Sequence, residues 1–439
     1  MKQILPTRSV TGQILGKQKR KANTRYRLAT HCIQIPCDEG TLLYHTLLGS
    51  LFLLGPHETL MDHEEELLRE WFFVPADFNE QKQALDVRRL ASRFLPKKRV
   101  VTGFTILTTT DCNARCFYCY EKGWDRVPMS EQTARDVAAY IARMSGGNEV
   151  SLNWFGGEPL YNRSAIEIIL EELRRREVPY HSSMVTNGYY LDPETAMRAK
   201  QDWHVDKIQI TLDGTREVYN RTKAYIEKDE NAFERVLTNV AGALKAGIKV
   251  DLRLNLDNHN ADDLHKLVDE LAVRFAGSEG LFVYAALLKE HVGRIHHFST
   301  VAEETEKYLS LQKKLDEYGF SKNKVLEKEQ RGNCCMADND GHEVITPDGH
   351  IGRCDHYVTT ELVGSIYDPV RDKEKIRSWK ELSEPYPECD GCPLYPGCIH
   401  LKKCANAPFR CSTPRKTVNR HRLEYKVLTA YQKAKGETK

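Results

Sequence analysis

Three cysteines fall within eight residues in the run Asp111, Cys112, Asn113, Ala114, Arg115, Cys116, Phe117, Tyr118, Cys119, a CxxxCxxC spacing that brings three thiols to one point. A four-iron cluster needs four ligands, so three thiolates leave one iron open to a substrate or cofactor. A structural zinc site, the alternative, would want a fourth Cys or His nearby, and this loop offers none. Of the 13 cysteines, eight more lie between Cys334 and Cys411, and only Cys32 and Cys37 stand apart, read as buried inert thiols. No secretion signal precedes them, so cytoplasmic thiols in a reducing setting, committed to metal or cluster ligation, are expected rather than a disulfide scaffold.

These thiols must be positioned by something, and from Phe104 onward the pattern alternates strand and helix. Strands are expected at Phe104 to Thr109, Glu149 to Phe155, Ser182 to Thr186, Lys207 to Asp213, Ile248 to Asn255 and Leu281 to Leu287. Between them run amphipathic helices: Val137, Tyr140, Ile141 and Met144 share a face, as do Ile166, Ile169, Leu170 and Leu173, and Leu264, Leu267, Val268 and Leu271. Such alternation implies right-handed parallel crossovers. A flat parallel sheet covered on both faces would read as near-continuous apolar runs. Instead Ile248, Val250, Leu252 and Leu254 alternate with Lys249, Asp251, Arg253 and Asn255, and Ile208, Ile210 and Leu212 with Gln209, Thr211 and Asp213. One strand face therefore suits helices and the other a polar lumen, giving an α/β fold with a partial (β/α)6 barrel. The strand C-termini would set Glu158, Asn187, Asp213 and Asn255 around one mouth.

The CxxxCxxC loop with an aromatic before its last cysteine, followed after the second strand by Gly156, Gly157, Glu158 and Pro159, resembles radical S-adenosylmethionine enzymes. The resemblance implies a four-iron cluster on Cys112, Cys116 and Cys119 whose free iron takes S-adenosylmethionine, which one-electron reduction cleaves to a hydrogen-abstracting 5′-deoxyadenosyl radical. It implies Tyr118 near the adenine, and Gly156, Gly157 and Glu158 at the methionyl ammonium. Thr186, Asn187 and Thr211 would lie near the ribose. Arg253 would pair with the methionyl carboxylate, or else form a structural ion pair with Asp251 or Asp213.

Cys335, then thirteen residues, Gly349, four residues and Cys354, followed by Cys389, Cys392 and Cys398 as CxxCxxxxxC and then Cys404 and Cys411, resembles the SPASM extension. That family holds two auxiliary four-iron clusters and acts on peptides and proteins. The correspondence gives Cys335, Cys354 and Cys404 to one cluster and Cys389, Cys392, Cys398 and Cys411 to the other, three clusters in all. Two departures from the family pattern, five residues before Cys404 and six between Cys404 and Cys411, leave the partition open, as does Cys334 beside Cys335. A pair of zinc knuckles is the alternative. Asp355, directly after Cys354, matches the acid read in sulfatase-maturating members as the base that takes a substrate proton; otherwise it is an acceptor for the cluster loop.

Ahead of the barrel, Leu42 to Leu51 and Phe72, Phe73 and Val74 resemble the winged-helix-like leader-binding domain of peptide maturases. The expected order is a basic arm (1–27), solvated and mobile or in contact with an acidic peptide, a leader-recognition domain (28–98), the barrel (99–295), a helical linker (296–330) and the cysteine-rich domain (331–439). Within the second, helices are expected from Glu64 to Phe73 and near Gln81 to Leu95. Partners implied are a precursor peptide with its leader and an electron donor such as flavodoxin or ferredoxin. Lys plus Arg number 64 against 62 Asp plus Glu, leaving no footprint for nucleic acid. No apolar run approaches the ~18 residues of a membrane span. The functional expectation is an enzyme that crosslinks a ribosomally made peptide, with formylglycine formation and a non-enzymatic peptide-binding regulator as alternatives.

Overall fold

The computed structural model describes residues 1–7, 10–83, 85–86, 100–288, 297–320, 335–385, 387–395, 401–404 and 413–436. These fall into two compact units: one takes the described residues up to 86 and those from Leu382 onward, the other takes 100–320 and Cys335–Glu381. Cys334, Cys398, Cys411 and most of the helix expected near Gln81 to Leu95 lie outside the described residues.

In the first unit, β1 (Lys2–Leu5), β3 (Cys32–Cys37), β4 (Gly40–His45) and β5 (Leu51–Leu54) form an antiparallel sheet in the order β1-β5-β4-β3, while β2 (Tyr26–Leu28) pairs with β6 (Phe73–Pro75). The β3–β4 hairpin turns through Gly40 at φ +132°, where a Cβ would lie 2.0 Å from the Leu54 carbonyl oxygen. Both faces of the sheet are covered. Ile33, Ile35, Leu42, Tyr44 and Leu51 pack against Val427 and Tyr431 of the helix Thr413–Lys435. On the other face Leu43, Phe52 and Leu54 pack against Leu67, Leu68, Phe72 and Phe73. Part of the basic arm is anchored: β1 pairs with β5, the short helix α1 (Val10–Leu15) follows, and Lys17 and Arg20 pair with Glu70, Glu64 and Glu65, in or beside α2 (Glu64–Arg69). Lys17, Lys19, Arg20, Lys21 and Arg25 all stay exposed.

The second unit is the expected partial barrel. Strands β7 (Gly103–Thr109), β8 (Val150–Gly156), β9 (Tyr180–Thr186), β10 (Val205–Leu212), β11 (Lys249–Leu256) and β12 (Leu281–Leu287) pair in parallel and in sequence order. Helices α3 (Glu131–Ser145), α4 (Arg163–Arg175), α5 (Pro193–Gln201), α6 (Arg216–Lys223), α7 (Ala232–Lys245), α8 (Ala261–Phe275) and α9 (Val301–Glu317) follow the strands. Ser130 caps α3 by accepting from the Thr133 amide, Asp192 caps α5 through the Thr195 amide, and Gly146 ends α3 in the left-handed conformation. Alternation does what the sequence required of it: Val150, Leu152 and Trp154, Ile208, Ile210 and Leu212, and Val250, Leu252 and Leu254 are fully buried under helices. Asn153, Gln209, Thr211, Asp251 and Arg253 face the lumen half-buried.

One connection was not expected. β13 (His342–Ile345) pairs in parallel with β7, opposite Gly103 to Ile106, and β14 (His350–Gly352) and β15 (Gly364–Ser365) continue the sheet antiparallel. Thus Cys335 and Cys354, which flank this hairpin, are carried by the barrel sheet itself. No helix among the described residues is long and apolar enough to cross a membrane.

Candidate active site

The cysteine loop leaves β7 and is held by its own backbone. The Cys112 amide donates to Asp111 Oδ1 at 2.8 Å, the Ala114 amide to Cys112 Sγ at 3.3 Å, and the Cys119 amide to the Cys116 carbonyl at 3.2 Å. Two longer ties fix it to the barrel: the Arg115 amide donates to the Lys223 carbonyl and the Ile226 amide to the Asn113 carbonyl, each at 2.8 Å. Burial pushes all three thiols up, Cys119 to about 12, so without a metal they are neutral.

Two glycines let β8 reach this loop. A Cβ at Gly156 (φ +95°) would lie 2.2 Å from the Thr109 carbonyl oxygen, and one at Gly157 would lie 2.1 Å from that of Asp111. Glu158 follows, fully buried, and its amide donates to the Asp111 carbonyl at 2.9 Å. Its Oε1 accepts from the Leu160 amide (3.1 Å) and the Thr186 hydroxyl (2.6 Å), and its Oε2 from the Asn187 amide (2.7 Å). Burial raises this carboxyl to about 6, while the three donors hold it down. A carboxylate offers about four lone-pair sites, so one acceptor position stays open. Asn187 reaches the cysteine loop, donating to Asn113 Oδ1 at 2.7 Å and lying 3.9 Å from Cys112 Sγ.

Thr211 and Arg253 are register partners on β10 and β11. Neither of the ion pairs considered for Arg253 forms, because Asp251 pairs with Lys207 at 2.5 Å and Asp213 with Lys223 at 3.0 Å. Arg253 Nε and Asn113 Nδ2 are buried without a partner in the protein. Two unsatisfied donors, an open acceptor on Glu158 and three thiols one ligand short of a cluster's four make a donor set that fits a three-thiolate cluster and an amino-acid-bearing ligand. Among the described residues no three His, Cys, Asp or Glu side chains are grouped closely enough to hold a single metal ion.

Tyr118 lies under the loop with its hydroxyl 3.1 Å from both Asp213 Oδ2 and Lys223 Nζ. Asn255 donates to the other Asp213 oxygen at 3.1 Å. Lys223 is almost wholly buried; burial works against its charge, but Asp213 and the Tyr118 oxygen keep it protonated. Sequence reasoning missed this lysine, whose signal was a Lys at the end of an otherwise polar helix ten residues after the strand-end Asp213.

The second cysteine pair lies on the lumen side of β7, where Leu107 and Phe155 pack with Trp124, Met336, Val344 and Val358. Cys335 is exposed, with Sγ accepting from the Ala337 amide at 3.3 Å, and Cys354 is half-buried. Buried Arg353 ties the hairpin together by donating to the carbonyls of Ala337 (3.1 Å), His342 (2.8 Å) and Asn339 (2.6 Å). Asp355 accepts from the Tyr120 hydroxyl at 3.4 Å, and the Tyr120 ring stacks on His356 with centroids 4.0 Å apart. Glu121 is driven up to about 8 by burial and then by the Asp355 charge. The residues after Cys119 and those after Cys354 therefore meet. In the first unit Cys389 and Cys392 are buried beside Tyr395, and the Cys404 amide donates to the Leu401 carbonyl at 2.9 Å.

These features define an α/β domain in which six parallel strands form a half-barrel and a cysteine-bearing loop leaves the first of them. Residues 106–271 match the Radical SAM superfamily, and the chain carries a radical SAM domain, the domain of enzymes that draw radicals from S-adenosylmethionine. A probable GTP 3′,8-cyclase of Methanocella arvoryzae is 29% identical over 178 residues, 39% of this chain and 53% of that protein. The chain thus spans about half the length of the curated relatives it matches. Native anSMEcpe with bound AdoMet and Cp18Cys peptide superposes with TM-score 0.57 at 16% identity, covering 76% of this chain and 99% of the other. SuiB of Streptococcus suis bound to precursor peptide SuiA gives TM-score 0.51 at 11% identity, covering 89% and 98%. At such identities these two likenesses concern the fold.

Proposed function

We propose that the chain is a radical S-adenosylmethionine maturase of the SPASM type that installs a crosslink, thioether or carbon-based, in a ribosomally made precursor peptide. The observation that carries this reading is the meeting of two cysteine-bearing loops on one lumen, with Tyr120 beside Cys119 donating to Asp355 beside Cys354 at 3.4 Å. A radical generator alone needs only the first loop. A second cysteine site next to it suits a substrate that gives up an electron after losing hydrogen.

In this reading Cys112, Cys116 and Cys119 would hold a four-iron cluster with one iron left for S-adenosylmethionine. When bound, these groups supply a 5′-deoxyadenosyl radical that abstracts hydrogen from carbon. Glu158, already oriented by Thr186 and Asn187, offers its remaining lone pair to the methionyl ammonium together with the Gly156–Gly157 backbone. Arg253, with a buried donor to spare, takes the methionyl carboxylate. Thr211 and Asn187 border the ribose, and Tyr118 the adenine. Asp355 accepts the proton that the substrate loses. Cys335 and Cys354 hold part of one auxiliary cluster, and Cys389 and Cys392 part of another. A leader segment binds the first unit, and a low-potential carrier of the flavodoxin or ferredoxin class supplies electrons in a reducing, cytoplasmic setting.

The test is anaerobic co-expression with a short open reading frame beside the gene, followed by mass spectrometry of the peptide. Loss of two hydrogens with retention of every sulfur supports a crosslink. Failure of the reconstituted protein to cleave S-adenosylmethionine under strong reductant overturns the reading. Placement of Asp355 also favours a second one, oxidation of Cys or Ser to formylglycine, which exchanges a cysteine sulfur for an aldehyde oxygen or takes two hydrogens from serine, and in both cases leaves an aldehyde that a hydrazide probe captures and a crosslinked peptide lacks. Turnover of GTP in place of peptide would align the chain with its curated relatives instead. A non-enzymatic zinc or cluster protein that binds peptides as a regulator is disfavoured by iron near the ~12 atoms per chain of three four-iron clusters and revived by a zinc-only protein.

A further inference from the structure

We infer that the first unit carries a binding site for a primary alkylammonium group, built from His31, His45 and Glu80, which takes the tip of a lysine side chain on a bound peptide or a free amine of the same chemistry. The site needs neither a cluster nor S-adenosylmethionine and stands apart from the maturase reading. The β3–β4 hairpin sets its base. His31 precedes β3 and His45 ends β4, the Thr46 amide donates to the His31 carbonyl at 2.9 Å, and the two ring centroids lie 6.0 Å apart. His31 is 1% and His45 4% exposed. Each ring turns one nitrogen to a backbone carbonyl: His31 Nδ1 lies 3.2 Å from the Pro393 oxygen, and His45 Nε2 lies 3.2 Å from the Trp71 oxygen. A carbonyl only accepts, so these nitrogens carry the ring hydrogens. The opposite nitrogens, His31 Nε2 and His45 Nδ1, are left as lone pairs, and both are buried without a partner in the protein. Burial holds His45 down to about 3 and His31 below its ordinary value, which keeps both rings neutral.

Stability does not account for two neighbouring acceptors buried unsatisfied, since each forfeits its bonds to water. Both rings and Glu80 line one cavity of about 20 Å³, room for a single water-sized group, open to solvent on one side. Glu80 is itself 7% exposed; its Oε1 accepts from Arg27 Nη1 at 2.6 Å and from the Thr30 amide at 3.0 Å, which leaves Oε2 for another donor. Arg27 is partly exposed, so solvent screens its charge. Three acceptors thus surround space for one small group, and no lysine or arginine lies among the described residues of the wall. The indole donor there, Trp71 Nε1, is already taken by the Gly16 carbonyl at 2.9 Å, and the Gln83 amide can turn either end inward. A hydroxyl donates one hydrogen, a water or primary amide two, and an ammonium three. Only the last satisfies all three acceptors. Trp71 and Phe78, with centroids 6.0 Å apart, add aromatic rings to the wall that favour a cation. Leu47, Leu48 and Val74 suit the aliphatic stem behind it.

The experiment is saturation-transfer NMR on the reconstituted full chain at neutral pH, titrating n-butylammonium, n-butanol, and Nα-acetyl-lysine methylamide beside its Nε-acetylated form. n-Butylammonium should bind saturably and about tenfold or more tighter than n-butanol, which has the same stem and a single donor. Glu80→Gln keeps an acceptor for Arg27 and Thr30 but turns the spare oxygen into a donor, and it should weaken the amine about tenfold or more, as should His45→Phe. The comparison of amine with alcohol on the native chain decides the matter even where a variant folds poorly. Binding of the lysine amide, lost on Nε-acetylation, assigns the site to a peptide lysine, and binding of n-butylammonium alone assigns it to a free amine. Absence of n-butylammonium binding, equal binding of amine and alcohol, or amine binding that survives both substitutions in folded protein overturns the inference and leaves the cavity to a buried water.

Discussion

Gly157→Ala isolates the close approach on which the site depends. The added Cβ would lie 2.1 Å from the Asp111 carbonyl oxygen and 2.5 Å from its carbon, backbone atoms that cannot rotate away. Ordinary contact needs more than 3 Å, so β8 and the start of the cysteine loop must separate by roughly 1 Å. That separation breaks the bond from the Glu158 amide to the same carbonyl, 2.9 Å in the native structure, at about 0.5–1.5 kcal/mol, and adds about 1–3 kcal/mol of overpacking. A loss of about 2–4 kcal/mol lowers Tm by about 5–10 °C in a domain of this size. The effect on the site is larger, since ~1 Å of misplacement costs on the order of 100-fold in rate. The assay is differential scanning fluorimetry beside 5′-deoxyadenosine formation from the reconstituted protein. Gly352→Ala is the control: its Cβ would meet Val358 at an ordinary 3.6 Å, and it should change Tm by less than about 1 kcal/mol equivalent. If Gly157→Ala matches wild type in both measurements, the glycines are not what brings Glu158 to the cysteines.

Arg353→Met strips three hydrogen bonds from the buried carbonyls of Ala337, Asn339 and His342. It should cost about 3–5 kcal/mol and lower iron content while the EPR signal of the first cluster persists; loss of both together would contradict the separation of the two sites. Asp355→Asn should reduce peptide modification about 100-fold or more, as expected for loss of a general base, with cleavage of S-adenosylmethionine little changed, and equal loss of both would remove Asp355 from that role. His45, whose pKa falls to about 3 through burial and then through nearby His31, binds a proton more weakly folded than unfolded. Its contribution to stability is therefore full above pH 6.5 and lost as pH falls, by about 1.4 kcal/mol per unit. Urea unfolding of the first unit should show a loss of roughly 2 kcal/mol between pH 6.5 and 5, and His45→Phe should flatten it.

Much of the barrel was legible because its strands announce both faces at once. Ile208, Ile210 and Leu212 had to lie under helices, and Gln209, Thr211 and Asp213 had to face elsewhere; all six strands lie where that pattern put them, within two residues. The cysteine loop stood out for a different reason, since a CxxxCxxC spacing is read without any tertiary information. Partners brought together by the fold were not legible. Thr186 and Asn187 could be pointed to, but that both bond to Glu158 depends on β8 and β9 ending level. Lys223 gives no signal beyond a single charge on a helix. The basic arm keeps its lysines and arginines exposed as expected, but the pairing of β1 with β5 and the contacts of Lys17 and Arg20 with Glu64, Glu65 and Glu70 depend on segments distant in sequence.

The parallel pairing of β13 with β7 links the two cysteine sites. Without it, β7 would end the barrel sheet with a row of unpaired backbone groups, an edge that proteins cover or blunt. A strand from more than 230 residues later supplies the cover over Gly103 to Ile106 only, leaving the end of β7 free to release the cysteine loop. Close approach is again a matter of side-chain absence: a Cβ at Gly103 would lie 2.4 Å from the His342 ring. Since Arg353 closes the hairpin on its own carbonyl partners, Cys335 and Cys354 are carried by a brace that protein hydrogen bonds hold without any metal. The shared cluster of Leu107, Val344 and Val358 then sets that brace against the lumen wall. The distance between the first cysteine loop and Asp355 is therefore a property of sheet register. A slip of the β13–β7 pairing by one residue would turn every side chain of β13 to the opposite face and take Asp355 away from Tyr120.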